Sequence, residues 1–313
     1  MDGVSTSQTS PIAFLKGHGT ENDFVIVPDP DNVIDLPAPT VAALCDRRAG
    51  IGGDGLLHVV RSGAHPEARA MADEAEWFMD YRNADGSIAE MCGNGVRVFA
   101  RYLERAGLVE AGDLAVATRG GVKKVHLAKT ESVSGSAAAD ITVSMGRALL
   151  PEDGVTVTVG GRSWPALNVN MGNPHAVAFV DDLDHAGDLF SAPFVSPSSV
   201  YPDGVNVEFL VDRGERHVAM RVHERGSGET RSCGTGACAV AVAAARRDGA
   251  DPAVTGVPVT YTVDLPGGRL VITERPDGEI EMTGPAVIVA EGHIDPALIA
   301  PADPRRRLGS HCA

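Results

Sequence analysis

The sequence contains no stretch of about 18 consecutive apolar residues, so no segment of it reads as a membrane-spanning helix. Its opening residues, MDGVSTSQTS, carry no apolar core ahead of a cleavage site, which makes the cytoplasm the expected location. Positive charge is also in short supply: 27 Lys and Arg stand against 42 Asp and Glu, a formal net charge of −15. Such a surface repels nucleic-acid phosphates and anionic lipid. No basic stripe reverses this locally, so neither nucleic acid nor membrane is expected as a partner. Aromatic residues make up only 4% of the chain against 43% hydrophobic residues in all, within an otherwise ordinary globular composition. The five cysteines are an odd number with no C-x-x-C pair, which speaks against a disulfide scaffold and a zinc knuckle. No compact His or Cys spacing suits a metal either.

At 313 residues the chain is long enough for two domains with buried cores, and 36 Gly and 20 Pro imply many turns. Short β-rich runs alternate with turn clusters at 24–27, 56–60, 141–143, 176–180, 205–210 and 218–222. Three segments read as helices. One is 41–48. The other two each follow a C-G-x-G tetrapeptide, Cys92-Gly-Asn-Gly and Cys233-Gly-Thr-Gly, and stop near Gly107 and Gly249. The second of these is Ala and Val almost all round, as befits a helix buried inside a fold.

The likeness between these two segments extends upstream. YRNADGSIAEMCGNG and VHERGSGETRSCGTG overlay without a gap, so Asn83 lies nine residues before Cys92 as Glu224 does before Cys233. GDGLLHVV (53–60) has a counterpart in DGVNVEFL (203–210), and NDFVIV (22–27) in NPHAVAFV (173–180). This duplication predicts an α+β fold of two pseudo-symmetric domains, each a mostly antiparallel curled sheet around a central helix. The expected halves are 1–147, carrying Cys92, and 148–287, carrying Cys233, with 288–313 returning to the first half.

A thiol at a helix N-terminus sits at the positive end of the macrodipole, beside amides that have no intrahelical partner. The flanking glycines let backbone approach a ligand closely, and the free amides suit a carboxylate. One such unit is most often a buried structural thiol. Two of them facing across a cleft are what inversion of a carbon centre requires: a thiolate removes a proton from one face and a thiol returns one to the other.

The segments KGHGTENDF (16–24), GIGGDGLL (50–57), YRNADGS (81–87), MCGNG (91–95), MGNPH (171–175), GVN (204–206), ERGSGET (224–230) and SCGTG (232–236) resemble the diaminopimelate epimerase family, in order and along nearly the whole chain. DLPGG (264–268) and MTG (282–284) fit as well. The resemblance implies interconversion of L,L- and meso-diaminopimelate without pyridoxal phosphate or any other cofactor or metal, in lysine and cell-wall precursor biosynthesis, by a homodimer. It makes Cys92 and Cys233 the acid/base pair. It places Asn22, Asn83, Asn173, Asn206, Glu224 and Arg225 at substrate-binding positions, with the backbones of Gly93, Asn94, Gly234 and Thr235. Gly55 departs from members that carry Gln there. Diaminopimelate has an ammonium and a carboxylate at each end, so Arg225 suits the distal carboxylate, and Glu224 with the asparagine carbonyls suits ammonium.

His175 is a further candidate, for positioning, although a lone His is more often structural. Cys45 and Cys238 read as core, and Cys312 belongs to the tail. A related two-thiol racemase of proline or hydroxyproline is the nearest alternative. Asn94 and Arg225 set the chain apart from that type, which usually carries His in the first motif and Asp before the second. A silent amino-acid-binding module and a thiol redox sensor, with Cys92 and Cys233 forming a reversible disulfide, are readings from other classes.

Overall fold

The structure, a computed structural model, describes residues 11–129 and 139–295. The first half of the chain supplies β1 (Ile12–Gly19), β2 (Asn22–Pro28), α1 (Ala38–Cys45), β3 (Gly55–Arg61), β4 (Trp77–Asn83), α2 (Gly93–Arg105), β5 (Gly112–Thr118), β6 (Gly121–Leu127) and β7 (Ile141–Arg147). The second begins with β8 (Val155–Val159), β9 (Arg162–Asn170), β10 (Pro174–Phe179), β11 (Phe194–Ser196), β12 (Asn206–Gly214) and β13 (His217–Glu224). It continues with β14 (Gly228–Glu229), α3 (Gly234–Arg247), the one-turn α4 (Pro252–Thr255), β15 (Val259–Leu265), β16 (Gly268–Glu274), β17 (Glu279–Gly284) and β18 (Val287–Ile294).

The duplication read from sequence is a duplication of topology. β1 runs antiparallel to β2, β2 parallel to β3, β3 antiparallel to β4, and β4 parallel to β5; β5, β6 and β7 then follow antiparallel. The series β9, β10, β12, β13, β15, β16, β17 repeats those directions strand for strand. Parallel neighbours need a crossover, and it is the β4-to-β5 and β13-to-β15 crossovers that carry α2 and α3. β18 lies antiparallel beside β1, in the place that β8 takes beside β9, while β7 pairs with β17 and joins the two sheets. Each sheet curls around its helix: α2 packs on β1, β2, β6, β7 and β18, and α3 on β9, β10, β12, β15 and β16. The fold is therefore α+β, two pseudo-symmetric and mostly antiparallel units with one central helix apiece.

Both central helices stop in the same way. Gly107 (φ 68°) and Gly249 (φ 69°) take the left-handed conformation that glycine adopts without a Cβ penalty. The amides of Leu108 and Ala250 then reach back to the carbonyls of Leu103 and Ala245 at 2.9 and 2.8 Å. α3 is buried on all sides from Gly236 to Ala245, as its Ala and Val composition predicts.

Two sequence expectations are corrected. The helix expected at 41–48 runs from Ala38 to Cys45, because Asp46 leaves helical backbone (ψ 124°) and its carboxylate accepts the amides of Arg48 and Ala49. The overlay of 53–60 on 203–210 is one residue out of register. Gly55 stands opposite Phe24 and Asn83, and Asn206 opposite His175, so the counterpart of Gly55 is Asn206 and not Val205. The tails read at 1–10 and 301–313, with Cys312, lie outside the described residues.

Candidate active site

Cys92 and Cys233 are the N-caps of α2 and α3. Each has extended backbone and each sulfur accepts an amide three residues on, Gly95 at 3.5 Å and Gly236 at 3.3 Å. The two first turns converge on Met282. An added Cβ on Gly93 would meet Met282 Cε at 2.7 Å, and one on Gly234 would meet Met282 Sδ at 3.1 Å. A side chain at either glycine would have to displace the tip of Met282, and the bare glycines leave the helix N-termini open toward a cleft of about 1460 Å³ lined by both cysteines.

Burial governs both thiols. It pushes Cys92 up to about 11 although the Gly95 amide pulls the other way, and Glu224 adds to the rise. Cys233 is raised well above the ordinary thiol value, by burial first and then by Glu224 and Glu208. A thiol with a raised pKa is less often ionised at neutral pH, but once ionised it is the stronger base, which removal of a proton from carbon demands.

Asn22, Asn83, Gly93, Asn94, Asn173, Glu224, Arg225, Gly234 and Thr235 line the same cleft. Asn22 donates to Asp54 at 2.8 Å, and this fixes its Oδ1 toward Cys92 Sγ (3.5 Å) and Asn94 Nδ2 (3.2 Å). Asn83 ends β4 and donates to Ser87 Oγ at 2.9 Å. Asn173 donates to Thr235 Oγ1 at 3.3 Å, which in turn lies 3.6 Å from Cys233 Sγ. Glu224 ends β13 and accepts from Thr230. Burial raises its carboxyl pKa even though that hydrogen bond opposes the rise.

Two residues expected at substrate do not reach the cleft wall. His175 is fully buried. Its Nδ1 lies 2.6 Å from Glu208 Oε1 and its Nε2 lies 3.0 Å from Asn173 Oδ1, so it braces Asn173 from behind. Asn206 is buried too, and its Oδ1 accepts the Arg225 amide at 2.9 Å, which sets the arginine at the cleft mouth. Both face inward from the strand pair β10–β12, a placement that the register fixes and the motifs do not show. Sequence reasoning passed over Asp54, Tyr81, Thr230 and Ser232. All four stand in segments that carry the family resemblance, Asp54 in GIGGDGLL, Tyr81 in YRNADGS, Thr230 in ERGSGET and Ser232 in SCGTG, so membership of those segments is the signal that could have found them.

Ser232 ties the halves together. Asn94 Nδ2 donates to its carbonyl and hydroxyl, and its hydroxyl lies 2.6 Å from Thr20 Oγ1. Arg97, fully buried on α2, donates from Nη2 to Thr20 Oγ1 at 3.2 Å and from Nε to Pro285 O at 3.3 Å, bridging the same seam. Among the described residues no cluster of three or more His, Cys, Asp or Glu is placed to hold a metal ion.

Solved structures with this architecture include a phenazine biosynthesis protein from Bacillus anthracis (TM-score 0.66, 16% identity, 91% of this chain and 99% of that one). A hydroxyproline epimerase from Agrobacterium vitis is similar in fold as well (TM-score 0.61, 13% identity, 91% and 93%). Together they define the fold class, the duplicated α+β architecture that this chain shares with both proteins. The family model for diaminopimelate epimerase matches residues 14–150 and 167–289. Relatives named diaminopimelate epimerase are 79% identical in Streptomyces coelicolor (91% of this chain, 96% of the relative) and 47% identical in Rhodococcus jostii (90% and 96%). The chain belongs to the diaminopimelate epimerase family.

Proposed function

We propose that this chain interconverts L,L- and meso-diaminopimelate by a two-base mechanism in which Cys92 and Cys233 are the acid and the base. The observation that carries it is the pair of thiols capping two buried helices at one cleft. With the reacting carbon between the sulfurs, one thiolate takes the α-proton, and the C–H electron pair passes into the carboxylate as an enediolate. The other thiol delivers its proton to the opposite face, and the thiolate it leaves is poised for the reverse reaction. The amides of the two first turns stabilise the charge that develops on the carboxylate, each well-aimed donor contributing about 3 kcal/mol. Arg225 takes the distal carboxylate, and Glu224 with Asn22, Asn83 and Asn173 holds ammonium groups.

His175 and Asn206 serve in this scheme as supports for Asn173 and Arg225. The family resemblance favours a homodimer, and the internal repeat supports a division into halves at 1–147 with 288–313, and 148–287; the cytoplasm is the address we infer. The test is a pair of single-thiol variants. Cys92→Ala and Cys233→Ala each abolish epimerisation while keeping the fold, and full turnover by either variant removes the two-base assignment.

A further inference from the structure

The two halves share topology but not side chain at the strand position beside Asn83 and Glu224. In the second half the strand position beside Glu224 carries Asn206, and in the first half the corresponding position beside Asn83 carries Gly55. The room that a side chain at 55 would take is already filled. A Cβ there would meet Tyr81 Cε2 at 2.7 Å and Arg82 O at 2.6 Å. The Tyr81 ring is 9% exposed and packs edge-on against Phe24 with centroids 6.0 Å apart. The same residue lines the cleft, and its hydroxyl has no hydrogen-bond partner among the described residues.

We propose that Tyr81 is a substrate-positioning residue, with its hydroxyl donating to a carboxylate oxygen of the bound amino acid and its ring standing in for the side chain that Gly55 lacks. An aromatic hydroxyl that is buried on its stem and open at its tip suits this task, because the packed ring prepays the ordering of the donor. The groups around it fix its state. Burial raises the phenol first, and the charges of Cys92, Glu224 and Asp54 raise it further, so Tyr81 stays a neutral donor across the working pH range. A neutral donor among acidic neighbours accommodates a carboxylate without a second cation beside Glu224.

This inference rests on the epimerase reading, and the experiment separates the two. Tyr81→Phe keeps the ring and its packing on Phe24 and removes one oxygen. The expected result is a rise of roughly 10- to 100-fold in KM for diaminopimelate, the size of a lost hydrogen bond to a charged group, with kcat changed far less. Calorimetric titration with meso-diaminopimelate should show a matching loss of affinity. Wild-type turnover with Tyr81→Phe kinetics that superimpose on it overturns the role of Tyr81 alone. A fall in kcat at constant KM also overturns it, because that pattern belongs to a disturbed thiol and not to a lost binding contact. Absence of turnover in the wild type overturns the epimerase reading instead. A thermal midpoint within about 2 °C of wild type certifies that the packing survived.

Discussion

Asn94 Nδ2 lies 3.2 Å from Ser232 Oγ, so the third residue of the first C-G-x-G motif is hydrogen-bonded to the residue just ahead of the second motif's cysteine. This single contact couples the N-termini of two helices that are 138 residues apart in the chain. It explains how a duplicated fold makes one site: each half presents a thiol, and the seam between them sets their spacing.

Ser232→Ala removes the hydroxyl shared by Asn94 and Thr20 and leaves the backbone contact. A roughly tenfold fall in kcat/KM is expected, together with a loss of about 1–2 kcal/mol in stability. Steady-state kinetics and urea unfolding check both, and no change in either would show that the seam is held elsewhere.

The thiols should react late on a pH scale. With Cys92 pushed up to about 11 by burial, its alkylation by iodoacetamide in the unliganded protein should still be climbing at pH 9 and show no plateau below it. Peptide mass spectrometry resolves Cys92 from Cys45, Cys233 and Cys238. A plateau below pH 8 contradicts the assignment, since it would mean that the helix N-terminus outweighs burial.

Stability carries a separate pH signature, from residues that do not line the cleft. His58 is buried between Asp29 (3.0 Å) and Asp80 (3.4 Å). Burial alone would lower its pKa, but the two carboxylates raise it. A raised histidine contributes stability that is fully present below its unfolded value of about 6.5 and is lost as pH rises through the folded value. Asp29 and Asp80 are lowered despite burial, so their contribution is lost on the acid side. His58→Gln should cost about 3 kcal/mol near pH 6 and measurably less near pH 9. An equal cost at both pH values in calorimetry would remove the charge from the explanation.

Much of this architecture is legible in the sequence, because a repeated thiol, glycine and buried helix constrain both halves at once. The strands around Phe24, Leu57, Val207 and Met220 follow from short apolar, β-branched runs bounded by turn residues. The pairing of β18 with β1 needs contacts across nearly the whole chain, which no local pattern carries. The one-residue slip in the repeat has a physical origin as well. In a strand one step reverses the face, and Gly55 and Val205 are both small enough for the overlay to look sound. That slip hid the correspondence between Gly55 and Asn206, and with it the reason why Tyr81 occupies the cleft. Asn206 reads as a substrate contact and His175 as a positioning residue from the motifs alone, and only the strand register shows which way each of them points.

The most direct test is solvent isotope uptake at the α-carbon. With both thiols reduced in deuterium oxide, exchange between two thiols predicts that L,L- and meso-diaminopimelate each acquire deuterium at the inverted centre, the product labelled ahead of the remaining substrate. Epimerisation without label, or no α-exchange with either isomer, contradicts proton transfer by Cys92 and Cys233.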